Sequence, residues 1–93
     1  MTNWICKIDI AKHLDTFDEE TPDAILKTAE AIQQELRGCM LANRFGSLGK
    51  QLVDKTKKAI DADFDYDAIE NIFNGVLSRI YDVADSERIW TSG

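Results

Sequence analysis

Little in this sequence breaks a chain or crosses a membrane. Proline occurs once and glycine five times in 93 residues, too few for a linker-rich or collagen-like chain. No apolar run is longer than a few residues, which excludes a spanning helix. The opening residues, Met1 to Lys7, contain no apolar stretch of the kind a secretory leader needs, so secretion is not expected. Cysteine occurs twice, at Cys6 and Cys39, without a C-x-x-C or Cys/His spacing. Such thiols read as small buried hydrophobes of a reducing cytosol, with one disulfide left open. Basic residues number 11 against 17 acidic ones, giving a net charge of −6 and a pI near 4.6. That sign is wrong for a generic DNA or RNA binder and for docking on anionic lipid.

What is present suits one packed domain over residues 1–93. Hydrophobic residues make up 44% and charged residues 30%, enough to bury a core and to exclude disorder as the default. The clearest helix is Pro22–Arg37. Thr21 suits the N-cap, Pro22 the first turn and Asp23 the positive end of the dipole. Ile25, Ala29, Ile32 and Leu36 form a narrow apolar stripe, and Gly38 is expected as the left-handed residue that ends the helix.

A second helix is expected over about Asp65–Ala84, capped by Asp65 or by an Asp67/Glu70 box. Ile69, Ile72, Phe73, Val76, Leu77, Ile80 and Tyr81 give it a wide stripe suited to a central helix. Gly75, inside it, predicts the close approach of another backbone. Between these two, Leu48, Leu52, Thr56 and Ala59/Ile60 mark a helix over Ser47–Ile60, with Lys50, Lys57 and Lys58 outward. Met40, Leu41 and Phe45 before it need burial.

The first residues are ambiguous. Trp4, Cys6, Ile8 and Ile10 alternate like a strand, whereas Ile10, Ala11 and Leu14 suit a short helix capped by Asp9. A lone strand finds no partner elsewhere, so the expectation is a helix from Asp9 to about Asp15. The fold expected is an all-α compact bundle of three to four helices.

Catalytic and metal chemistry find no support. Asp61, Asp63, Asp65 and Asp67 imitate a calcium loop, but both registers lack the glycine and the final glutamate. The expectation is an acidic helix start with Phe64 and Tyr66 reaching the core. His13, the only histidine, has Asp9 and Asp15 nearby, and two ligands do not make a metal site. Gly46-Ser47-Leu48-Gly49-Lys50 lacks phosphate-loop spacing and reads as a loop leading into a helix. No catalytic residue, cofactor or metal is predicted, and the chain is not expected to be an enzyme.

Charge is the remaining signal, and it is segregated. Residues 1–37 carry a net −4, residues 38–60 a net +4 through Arg44, Lys50, Lys55, Lys57 and Lys58, and residues 61–93 a net −6. The plain expectation is that the basic segment packs beside the acidic ones, within the fold or in a second copy. Two acidic runs stand out, Asp15/Asp18/Glu19/Glu20/Asp23 and Asp61/Asp63/Asp65/Asp67/Glu70. Carboxylates at that density can imitate a row of phosphates to a basic cleft.

The segment Ile80-Tyr81-Asp82-Val83-Ala84-Asp85-Ser86-Glu87-Arg88-Ile89-Trp90 resembles a Tyr-Asp-x-Ala-Asp-x-x-Arg-x-Trp ending of small, functionally unassigned bacteriophage proteins. Ile8-Asp9 and Asp23-Ala24-Ile25 extend the resemblance to about a fifth of the chain. The segment itself reads as a lock, with Tyr81 and Trp90 closing the bundle's open end and Arg88 reaching Asp82 or Asp85. A phage origin implies stoichiometric binding to a host machine, by analogy with inhibitors of restriction or CRISPR complexes. The expectation is a cytoplasmic, non-enzymatic inhibitor of a host nucleic-acid-handling complex, with a host protein or nucleoprotein as partner. Its contact residues are then Asp61, Asp63, Asp65, Asp67 and Glu70, followed by Asp18, Glu19 and Glu20. The alternative is a homo-oligomeric structural or assembly subunit, a homodimer in its simplest form, joined through basic residues 44–58 and the acidic ends.

Overall fold

The computed structural model describes residues 6–15, 21–39, 42–62 and 65–91. Four helices dominate them: α1 (Ala11–Asp15), α2 (Pro22–Arg37), α3 (Ala42–Asp61) and α4 (Tyr66–Ser86). Two three-residue strands, β1 (Cys6–Ile8) and β2 (Ile89–Thr91), pair in parallel with Cys6 opposite Ile89, Lys7 opposite Trp90 and Ile8 opposite Thr91. The architecture is the expected all-α bundle with one short ribbon. α3 lies between α2 and α4, α4 also packs on β2, and α1 rests on α2. The long helix near residues 65–84 is therefore present as α4, while the middle place belongs to α3.

Helix α2 has the predicted bounds, and Ile25, Ala29, Ile32 and Leu36 are fully buried. α3 presents Phe45, Leu52 and Val53 to the core, each buried side chain contributing about 1.5–3 kcal/mol. Its buried Thr56 satisfies its hydroxyl by donating to the Leu52 carbonyl at 2.7 Å. α4 opens on Asp65, whose carboxylate accepts the Asp67 N–H at 3.1 Å. From α4, Ile69, Phe73, Val76, Leu77, Ile80 and Ala84 complete the core with Ile8, Ile10 and Ile89.

Several expectations are corrected. The N-terminal alternation is a strand after all, because residues 89–91 supply the partner; the helix that follows is shorter, with Asp9 accepting the Lys12 N–H at 3.1 Å. α3 begins at Ala42, so Gly46–Lys50 lies within the helix and not in a loop. Gly38 ends α2 in the right-handed region at φ −71°, and the left-handed residue is Arg88 at φ 58°. Gly75 is exposed with open space beyond it, whereas a Cβ on Gly49 would lie 3.0 Å from Gln33 Cγ and 3.2 Å from Gln33 Cα. The close approach therefore belongs to the α2–α3 seam. Tyr66 and Trp90 do not reach the core; each is 38% exposed. Cys6 and Cys39 are not joined in a disulfide; Cys39 is buried and Cys6 half-buried. Met40, Leu41 and Phe64 lie outside the described residues.

Candidate functional site: an acidic shoulder, a groove and an aromatic patch

The first acidic cluster gathers where α3 hands over to α4. Asp61, Asp65, Asp67 and Glu70 are all exposed, and none forms an ion pair among the described residues. Two of them serve the fold: Asp65 caps α4, and Asp67 sits in its first turn, where the dipole favours an anion. Asp61 does not, because it is the last residue of α3, where the dipole disfavours negative charge. Glu70 lies in the second turn of α4, clear of any capping role. Asp63 and the second cluster, Asp18, Glu19 and Glu20, lie outside the described residues.

The basic segment is similarly open. Arg44, Lys50, Lys55, Lys57 and Lys58 are exposed along α3. Beside them, α4 carries Asp67, Glu70, Asp82 and Asp85 against a single Arg79. Adjacent helices thus hold opposite charge, yet the one ion pair across that boundary among the described residues is Arg44 Nη1 to Glu87 Oε1, at 3.2 Å. Arg79 donates instead to the neutral Gln51 Oε1 of α3 at 3.4 Å. Packing side by side has not neutralised the two faces. Arg88, expected to reach Asp82 or Asp85, forms no ion pair with either.

Next to the acidic shoulder lies a groove of about 350 Å³ between α1 and α4. Leu14, Tyr66, Ile69, Phe73 and Leu77 give it apolar walls, and Glu70 and Asn74 line it as well. α1 is held over α2 by one carboxylate: Glu35 Oε1 accepts the Asp9 N–H at 3.0 Å, while Oε2 faces His13 Nε2 at 3.3 Å and Lys12 Nζ at 3.6 Å. A carboxylate only accepts, so Nε2 of His13 carries the proton. Burial pushes the Glu35 carboxyl up, but the Asp9 amide, the His13 ring and the Lys12 ammonium outweigh it, leaving its pKa below the ordinary value. His13 is thus a positioned hydrogen-bonding residue. No group of three or more metal-ligating side chains occurs among the described residues.

At the other end, β2 leaves Trp90 outward with Lys7 as its register partner and Arg88 two residues before it, all exposed. Registered residues of a parallel pair share a face, so indole and ammonium stand together. Glu35, the groove and this patch escape a reading of the sequence. The available signals were the isolated Tyr66 ahead of α4's stripe and the Ile-Trp-Thr alternation after it. None of the described helices is long and apolar enough to cross a membrane. No protein-family model, curated protein or solved structure matches the chain.

Proposed function

We propose that this chain is a non-enzymatic, cytoplasmic binding protein whose acidic shoulder occupies a basic, nucleic-acid-binding cleft of a larger host complex. The mode is that of a phage-encoded inhibitor of restriction or CRISPR machinery. The observation that carries the reading is Asp61: an exposed carboxylate at the wrong end of the α3 dipole, grouped with Asp65, Asp67 and Glu70 and unpaired among the described residues. A fold selecting only for its own stability gains nothing from that placement. A basic cleft responds to the field of such a row more than to its chemistry.

The test is capture from nuclease-treated bacterial lysate by the wild-type chain and by the triple variant Asp61→Lys, Asp67→Lys, Glu70→Lys, leaving the Asp65 cap intact. The expected result is one nucleic-acid-binding complex, eluted by high salt or by competing DNA and lost by the variant while its helical signal is kept. Retention of the same complex by the variant overturns the reading.

A second reading is self-assembly into an oligomeric structural subunit, favoured by the exposed lysines of α3, which form no ion pair among the described residues. Sedimentation at rising salt separates it from the first: an oligomer without partner that dissociates as exposed charges are screened supports assembly.

A further inference from the structure

The described residues expose two large hydrophobic side chains, Tyr66 and Trp90, and they belong to two unlike surfaces. Tyr66 stands on the wall of the groove, with Ile69, Phe73, Leu77 and Leu14 behind it and Glu70 on its margin. Trp90 is exposed on the β1–β2 ribbon, with Lys7 its register partner and Arg88 two residues before it in the chain. One surface is an apolar recess with the Glu70 carboxylate in its lining and Asp67 next to Tyr66 in the chain. The other is a knob, the exposed indole, with Lys7 as its cross-strand neighbour and Arg88 close to it in the chain.

We infer that the groove is the receptor for Trp90 of a second copy of this chain, so that copies dock head to tail. A volume of about 350 Å³ is at the small end of ligand sites, fit for one or two side chains. Trp90 cannot fill the groove of its own chain: it does not line it, and β2 packs against the far end of α4, whose 21 residues span about 31 Å. Charge runs the same way as shape, with Lys7 and Arg88 meeting Glu70 and Asp67. Glu87, the acid next to Arg88, is already held by Arg44. Asp85 is exposed one turn before β2, and Asp9, half-buried just after β1, already accepts the Lys12 N–H. Arg88 keeps its cation at a left-handed position where glycine is the unstrained choice. Because knob and groove are different surfaces, the contact is heterologous, and copies extend into rings or filaments and do not stop at a pair. The inference rests on self-association of the chain; its groove shares Glu70 with the acidic shoulder, and the Trp90→Ala variant leaves that shoulder intact.

Two exposed positions test it, and neither belongs to the core. Trp90→Ala removes the knob and leaves the groove; Asn74→Trp fills the groove from its exposed wall and leaves the knob. Sedimentation velocity from micromolar to millimolar protein is expected to show wild-type species beyond the dimer. Each variant alone should associate about 30-fold more weakly, the usual loss for a central aromatic anchor, with melting temperatures near wild type. Mixed together, the two variants retain one intact knob and one intact groove, and they should form heterodimers and nothing larger. A wild-type chain monomeric throughout overturns both this inference and the self-assembly reading. Association that survives Trp90→Ala, or a mixture that stays monomeric, overturns the inference and leaves the charge-driven assembly standing.

Discussion

The two sides of this bundle are finished differently. Where α2 meets α3, the helices are so close that a methyl group on Gly49 would press on Gln33, 3.0 Å from its Cγ and 3.2 Å from its Cα. Around α4, Gly75 looks into open space, Tyr66 is 38% exposed, and a groove separates the helix from α1. The exposed stripe of α2 mixes Asp23, Lys27, Glu30 and Arg37 at helical spacing, a pattern that neutralises itself. The exposed charged residues of α4 are all acidic apart from Arg79, and among the described residues those acids form no ion pair. A closed seam sets the fold, while the open one keeps charge and apolar surface available.

Three substitutions sharpen that contrast. The largest effect is expected from Glu35→Ala, which removes the anchor shared by the Asp9 amide, His13 and Lys12. Hydrogen bonds to a charged group are worth about 1.5–3 kcal/mol, so a loss of about 2–3 kcal/mol is expected in denaturant unfolding. The sign with pH follows from the lowered carboxyl: its contribution is complete above the unfolded-state pKa and is lost as pH falls through the folded one. Wild type should therefore lose stability through the acid range more steeply than Glu35→Gln, which carries no charge to titrate. Equal acid profiles would show that α1 is held by Leu14 and Ile10 alone.

Gly49→Val comes next. Overpacking a tight contact costs about 1–3 kcal/mol, and part of the obstacle is the Gln33 backbone, which cannot swing aside. A melting temperature that falls while helix content is kept would place the loss in the seam. An unchanged one would mean that α2 and α3 can separate freely, and the contrast between the two sides would vanish.

Helix α2 was legible because its signals agree: Thr21, Pro22, a 4-3-4 apolar stripe and Arg37 all point to the same bounds. The start of α3 was not, since Gly46 and Gly49 read locally as chain breakers, and only packing against Gln33 explains the second. The ribbon was hidden for a different reason. Its strands are three residues long and stand at opposite ends of the chain, so no local pattern links Cys6–Ile8 to Ile89–Thr91. The acidic run could be read directly, because exposure is the default for carboxylates. The groove could not: it exists only once α1 and α4 are placed side by side.

Gly75→Ala should have the smallest effect and the opposite sign. Nothing lies within 4 Å of where its methyl would stand, and the position is exposed in the interior of α4. Removing the backbone freedom of glycine there should add about 1 kcal/mol, a rise in melting temperature of several degrees for a domain of this size. The close packing first expected at this residue predicts a fall instead. The pair Gly49→Val and Gly75→Ala thus measures the two seams with one kind of change. Opposite signs mean that α4 turns this face to solvent or to a partner. A loss at both means that another surface, such as a second copy, already lies over Gly75 in solution.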